Sequence, residues 1–232
     1  MENKVDVRVF GRRAMFTDPI VKMGGEKSTY PIPTYESLKG IMDSIYWKPT
    51  FNWVIDKLRI INPIKSEAVG ARRIKYEKAE NDLSIYSYLI DVDYEIQAHF
   101  EWNLLNSNME ADRNENKHFF SSQRMIKRGG RYDVFLGTRE CAAYVEPCEF
   151  GSRPGAYDNS PVYKFDLMFH GFDYPSQTGD DVLTARFWRP VMVKGVIEFI
   201  RPDRCEITRK VKNMSFKPRQ VSKECDVDVM DT

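Results

Sequence analysis

The chain has 232 residues, 42% hydrophobic and 13% aromatic, with 35 Lys and Arg against 34 Asp and Glu. That excludes a disordered chain and is enough for one large or two small domains with a buried core. The net charge of +1 offers no overall pull on a polyanion, and no apolar run nears the roughly 18 residues of a membrane span. The first residues carry no secretory pattern. Cys141, Cys148, Cys205 and Cys225 form no close Cys-x-x-Cys pair, and no histidine lies near one. A zinc site is therefore not expected, and free thiols in a reducing cytoplasm are.

In chain order, Val5 to Phe10 alternates apolar and polar residues and predicts a strand. A loop with Gly11, Pro19, Gly24 and Gly25 follows. Gly25-Glu-Lys-Ser28 is not a phosphate loop, because Glu26 stands where a glycine is required before the lysine. Thr34 is a good helix N-cap, and Leu38, Ile41, Met42, Ile45 and Tyr46 mark one face of an amphipathic helix ended by Pro49. Phe51 to Ile64 and Ser84 to Asn103 read as strands. In the second, Tyr86, Tyr88, Ile90, Val92, Tyr94, Ile96, Ala98 and Phe100 share one parity. The charged stretch 65–82 between them reads as a loop or hairpin tip.

The second helix has Asp112 or Asn114 as its cap, an inner face of Phe119, Ser122, Gln123 and Ile126, and Gly129-Gly130 as its stop. Cys141 to Phe150 is again a strand. The order β-α-β-β-α-β predicts an α+β, ferredoxin-like unit over residues 1–150, whose antiparallel sheet is a frequent RNA platform. After the break at Gly151-Ser-Arg-Pro-Gly155, Val162–Phe169, Leu183–Trp188, Val191–Val193 and Val196–Phe199 read as short strands. They predict a small antiparallel β extension over 151–212, with His170 as a turn residue. Residues 213–232 are expected to be a partly disordered tail.

The chemistry concentrates in the second helix. Between residues 113 and 131 six basic side chains (Arg113, Lys117, Arg124, Lys127, Arg128, Arg131) stand against one acid, Glu115, a local charge of +5. A local basic surface on a neutral protein can bind nucleic acid, because only the contacted phosphates matter. Lys117-His118 puts a proton-transfer group beside a fixed cation near a helix N-terminus. RNA cleavage needs little more: the 2′-hydroxyl loses a proton, the phosphorane's charge is stabilised, and the leaving oxygen gains a proton. No Asp/Glu cluster suited to a metal is evident, so no cofactor is expected. Tyr46 fits the apolar face of its helix, yet sits at the helix end where its hydroxyl can reach a cleft.

Several segments together resemble one family. They are Phe16-Thr-Asp-Pro-Ile20, Gly24-Gly-Glu-Lys-Ser28, Pro33 to Ile41, Ser44-Ile-Tyr-Trp-Lys-Pro-Thr50, Asp112 to His118, Phe135 to Cys141, Val145 to Gly151, His170 to Pro175 and Arg186-Phe-Trp188. The match is to the type I-C CRISPR-associated "Cas five-d" family, over about residues 5–212. The resemblance implies a ferredoxin-like domain with a small β-rich extension. It also implies metal-independent cleavage of precursor CRISPR RNA within each repeat, and retention of the mature guide among the other subunits of the interference complex. Its proposed catalytic trio matches Tyr46, Lys117 and His118. The alternative is a non-catalytic subunit holding the guide's 5′ end. A third reading, an unrelated RNA-binding domain, requires exposed aromatics on the strands.

Overall fold

The computed structural model describes residues 3–17, 26–74, 81–105 and 107–214. The alternation read at the N-terminus forms β1, Lys4–Ala14, with Val5, Val7 and Val9 wholly buried. β1 pairs antiparallel with β6 (Ala142–Pro147) on one side and with β4 (Asn81–Trp102) on the other. β4 is the spine of the sheet. Its C-terminal half also pairs with β2 (Phe51–Ile60), and its N-terminal part pairs with β3 (Ser66–Ile74) as a ribbon running past the end of β1. The sheet reads β5-β6-β1-β4-β2-β11-β10-β7, with β5 at Val134–Phe135, β7 at Tyr163–Lys164, β10 at Val191–Val193 and β11 at Val196–Glu198. A three-stranded sheet, β12-β9-β8, comprises Ile207–Asn213, Val182–Trp188 and Met168–Asp173.

Two helices cover the main sheet. α1, Tyr35–Ile45, starts where Thr34 accepts a hydrogen bond from Ser37 N at 3.2 Å. It buries Leu38, Ile41, Met42 and Ile45 and packs on β2. Tyr46 leaves the helix in extended conformation, its carbonyl accepting from Trp53 Nε1 at 2.7 Å. α2, Glu115–Arg128, is capped by Asn114, whose side chain accepts from Lys117 N. Gly129 closes it at φ 89°, the left-handed region that glycine enters without steric cost. α2 packs on β6 and β1. A four-residue helix, α3, spans Pro175–Thr178.

Five expectations change. The stretch 65–82 contains β3, a strand whose charged residues and Gly70 hid it; residues 75–80 lie outside the description. The strand from Phe51 ends at Ile60, and the one expected over Val162–Phe169 is two, β7 and β8. The buried face of α2 is His118, Ser122 and Ile126, with Phe119 and Gln123 only partly covered. His170 is no turn residue. It lies inside β8 at a register shift, fully buried, stacked on Tyr35 at 4.3 Å, with Nε2 donating to the Ile200 carbonyl at 3.0 Å. Gly171 permits this packing, since a Cβ there would meet Glu36 Oε2 at 2.5 Å and Arg186 Nη2 at 2.8 Å. The expected tail is outside the described residues from 215 onward.

Burial, reinforced by the positive charge of Arg186, pushes His170 down to about 3. The unfolded chain binds this proton near pH 6.5, and the folded chain does not until about pH 3. Stability from keeping His170 neutral is therefore full above pH 6.5 and drains away as pH falls, at up to about 1.4 kcal/mol per pH unit. Urea melts at pH 7.5 and 5.0 should show wild type losing about 2 kcal/mol more than His170→Phe over that interval. Equal losses would contradict it. His99, raised by its hydrogen bond to Asp56, titrates in the opposite sense but is common to both proteins.

Candidate active site

Tyr46 directly follows α1 and His118 lies in α2, and the packing of α1 against α2 brings them together. Arg131 N donates to the Ile45 carbonyl at 3.0 Å and Tyr132 N to that of Ser44 at 3.1 Å, tying the end of α2 to the end of α1. Tyr46 Oη then stands 2.9 Å from His118 Nδ1. Tyr46 is 6% exposed and His118 is 0% exposed. The imidazole is ringed by Phe51, Trp102 and Phe100, with ring centres at 5.2, 5.7 and 6.2 Å. His118 is thus a core residue, not the open histidine that its place in the first turn of α2 suggests. Burial raises the Tyr46 phenol above its ordinary value, partly countered by a hydrogen bond with Ser121. It stays protonated at neutral pH.

Asp112 organises the polar side. It ends the 3-10 turn Ser107–Asp112 just before α2. Its main-chain oxygen is 2.8 Å from His118 Nε2, its Oδ2 accepts from Thr50 Oγ1 at 2.6 Å, and its carboxylate is ion-paired with Lys117 Nζ. The hydrogen bond from Lys117, followed by that from Thr50, holds the Asp112 carboxyl below its usual range; the same pair raises Lys117. The Lys117 side chain is 56% exposed, the most accessible of the three. Lys117 and His118 therefore meet at Asp112, and Tyr46 joins them through His118.

The basic residues do not all gather. Arg128 and Arg131 line one open groove of about 630 Å³ with Gly129, Gly130, Tyr132 and Phe135, reaching Ala142 on β6. Arg124 donates to Ser121 Oγ at 2.9 Å and Arg113 to the Asn103 carbonyl at 3.2 Å. Neither these two nor Lys127 lines the groove. The aromatics of β4 do not make a platform, since Tyr88, Tyr94 and Phe100 are in the core.

Residues 5–200 match the family described as CRISPR-associated protein (Cas_Cas5), under the name Cas5d. The chain belongs to the CRISPR-associated Cas5d family. A relative from Mannheimia succiniciproducens, named CRISPR pre-crRNA endoribonuclease Cas5d, is 27% identical over 85% of this chain and 95% of its own. Another of the same name, from Thermus thermophilus, is 28% identical over 72% and 74%. A crystal structure of a CRISPR-associated protein superimposes with a TM-score of 0.75 at 35% identity, covering 90% of this chain and 97% of that one. The functionally uncharacterized SMU1763c from Streptococcus mutans does so with 0.75 at 34% over the same shares. Both structures share the mixed α/β architecture of mostly antiparallel sheets seen here. No described helix is long and apolar enough to cross a membrane.

Sequence reasoning missed Thr50, Ser121 and the role of Asp112 in this Cas5d chain. Asp112 was legible only as a rival cap to Asn114, and Thr50 sits in a connection with no periodic signal. The spacing His118, Ser122, Ile126 (i, i+4, i+8) did carry the information that His118 faces inward.

Proposed function

We propose that this chain is a metal-independent endoribonuclease that cleaves precursor CRISPR RNA within the repeat. It then stays bound to the mature guide as a subunit of the type I-C interference complex in the cytoplasm. The observation that carries this reading is the 2.9 Å approach of Tyr46 Oη to His118 Nδ1 beside the Lys117 ammonium. The name borne by both curated relatives supports the substrate. The ferredoxin-like reading of residues 1–150 rests on the central order β6-β1-β4-β2, with α1 and α2 as its two crossovers. We take residues 151–212 as its β extension; β7, β10 and β11 lengthen the sheet beyond β2.

The chemistry is a transesterification. The 2′-hydroxyl loses its proton, the 2′-O–P bond forms, the P–O5′ bond breaks, and O5′ takes a proton, leaving a 2′,3′-cyclic phosphate and a 5′-hydroxyl. Because His118 is buried, Tyr46 is the group that meets the 2′-oxygen. The phenol passes its own proton to His118 Nδ1 as it receives one from RNA, so a raised phenol is no obstacle. Lys117 swings from Asp112 to the phosphorane and stabilises its charge. Side chains at the site take the 2′-hydroxyl proton and stabilise the phosphorane, and water supplies the proton that O5′ takes. The RNA runs along Arg128 and Arg131 in the groove and contacts Arg113, Arg124 and Lys127 around it.

One binding and cleavage assay tests both parts. Repeat RNA with hydrogen in place of the 2′-hydroxyl at the cut site should bind with unchanged affinity and remain uncut. A variant with Arg124, Lys127, Arg128 and Arg131 all replaced should show a shallower slope of log affinity against log salt, by somewhat under one unit per lost phosphate contact. Robust cutting of the deoxy substrate would sink the mechanism, and an unchanged slope would place the RNA elsewhere. If ribo and deoxy repeats both bind and neither is cut, the chain is the non-catalytic subunit that holds the guide's 5′ end.

A further inference from the structure

We infer that Asp112 is a positioning residue, whose main-chain carbonyl fixes the tautomer of His118 and whose carboxylate holds that carbonyl in place. The step it serves belongs to the endoribonuclease reading above; the geometry stands without it.

A carbonyl oxygen can only accept. The 2.8 Å contact between Asp112 O and His118 Nε2 therefore requires a hydrogen on Nε2. A neutral imidazole has one such hydrogen, so Nδ1 presents its lone pair to Tyr46 Oη, and the phenol is the donor in that 2.9 Å bond. With the opposite tautomer Nδ1–H would point at the phenol oxygen, and Tyr46 could not hand its proton over. One carbonyl thus decides whether the relay runs.

The main-chain hydrogen-bond ladder of α2 does not reach that carbonyl, since Asp112 precedes the helix. It also accepts from Asn114 N at 2.8 Å, a contact within the same short turn. The anchors are on the side chain. Thr50, wholly buried, donates to Oδ2 at 2.6 Å, and the Thr50 carbonyl in turn accepts from Asn103 N at 2.9 Å, so the tether runs into the paired ends of β2 and β4. Lys117 grips the other carboxylate oxygen. Oδ2 is also 3.4 Å from His118 Nε2. No other carboxylate pairs with His118 among the described residues.

The test uses the full chain with 15N-labelled histidine, Asp112→Ala and Thr50→Val. At pH 8, wild type should show an unprotonated Nδ1 and a protonated Nε2 for His118. Asp112→Ala should show averaging between tautomers. Its single-turnover cleavage at saturating repeat RNA should fall at least about tenfold, with the dissociation constant changed less than threefold. Thr50→Val, which keeps volume and removes only one bond, should move both readouts the same way by less, and carries the test alone if Asp112→Ala does not fold. A wild-type His118 with the hydrogen on Nδ1 would overturn the inference. So would an Asp112→Ala or Thr50→Val protein that keeps the wild-type tautomer. A merely structural role would lower stability without moving the tautomer. If wild type fails to cleave, the endoribonuclease reading falls, while the labelling result still decides the role of Asp112.

Discussion

His118→Gln is expected to lower single-turnover cleavage of repeat RNA by about 100-fold or more while leaving the protein folded and RNA affinity nearly unchanged. Glutamine is chosen over alanine because of burial. His118 fills a space walled by Phe51, Phe100 and Trp102, so His118→Ala would leave a cavity costing about 2–5 kcal/mol and confuse lost chemistry with lost fold. Glutamine keeps most of the volume, and its amide can donate to the Asp112 carbonyl as Nε2 does. It cannot take a proton from Tyr46. A proton-transfer role predicts a rate loss that cooling below the unfolding transition does not restore. A packing role predicts a near-normal rate once the protein is folded. Lys117→Ala should lose a similar factor in rate, because the phosphorane then lacks its cation.

Tyr46→Phe carries the second largest effect, at least roughly tenfold in rate, or about 1.4 kcal/mol of transition-state stabilisation. The ring is in the core with Phe51, 5.8 Å between centres, and phenylalanine keeps that packing. Only the hydroxyl goes. Its loss leaves His118 Nδ1 buried without a donor, a cost of about 1–3 kcal/mol in stability. The variant should therefore melt somewhat earlier, bind repeat RNA nearly as well, and cut slowly. If Tyr46 were packing alone, the stability loss would appear and the cleavage rate would not fall. Measuring both in one preparation separates the two readings.

What the sequence made legible follows from where its signals are local. Thr34, Asn114 and Gly129 could be read as caps because each acts on backbone within a few residues. The parity of β1 and β4 was legible because one face of each is buried. β3 was not, because it pairs with β4 as a ribbon and none of its described side chains is fully buried. His170 was misplaced because a register shift breaks the two-residue period there, and Gly171 resembles a turn until Glu36 and Arg186 are seen over it. In the candidate site, Tyr46, Lys117 and His118 were legible as types of residue. Their arrangement was not. That His118 lies behind Tyr46, and that Asp112 joins Thr50, Lys117 and His118, depends on contacts spanning up to 72 positions. No local pattern encodes them.

The most direct measurement is to incubate the purified chain with its cognate repeat RNA in excess EDTA and map both ends of the products. The expected result is one cut within the repeat, with a 2′,3′-cyclic phosphate on the upstream fragment and a 5′-hydroxyl on the downstream one. Cleavage that stops in EDTA, or products carrying a 5′-phosphate, would contradict it.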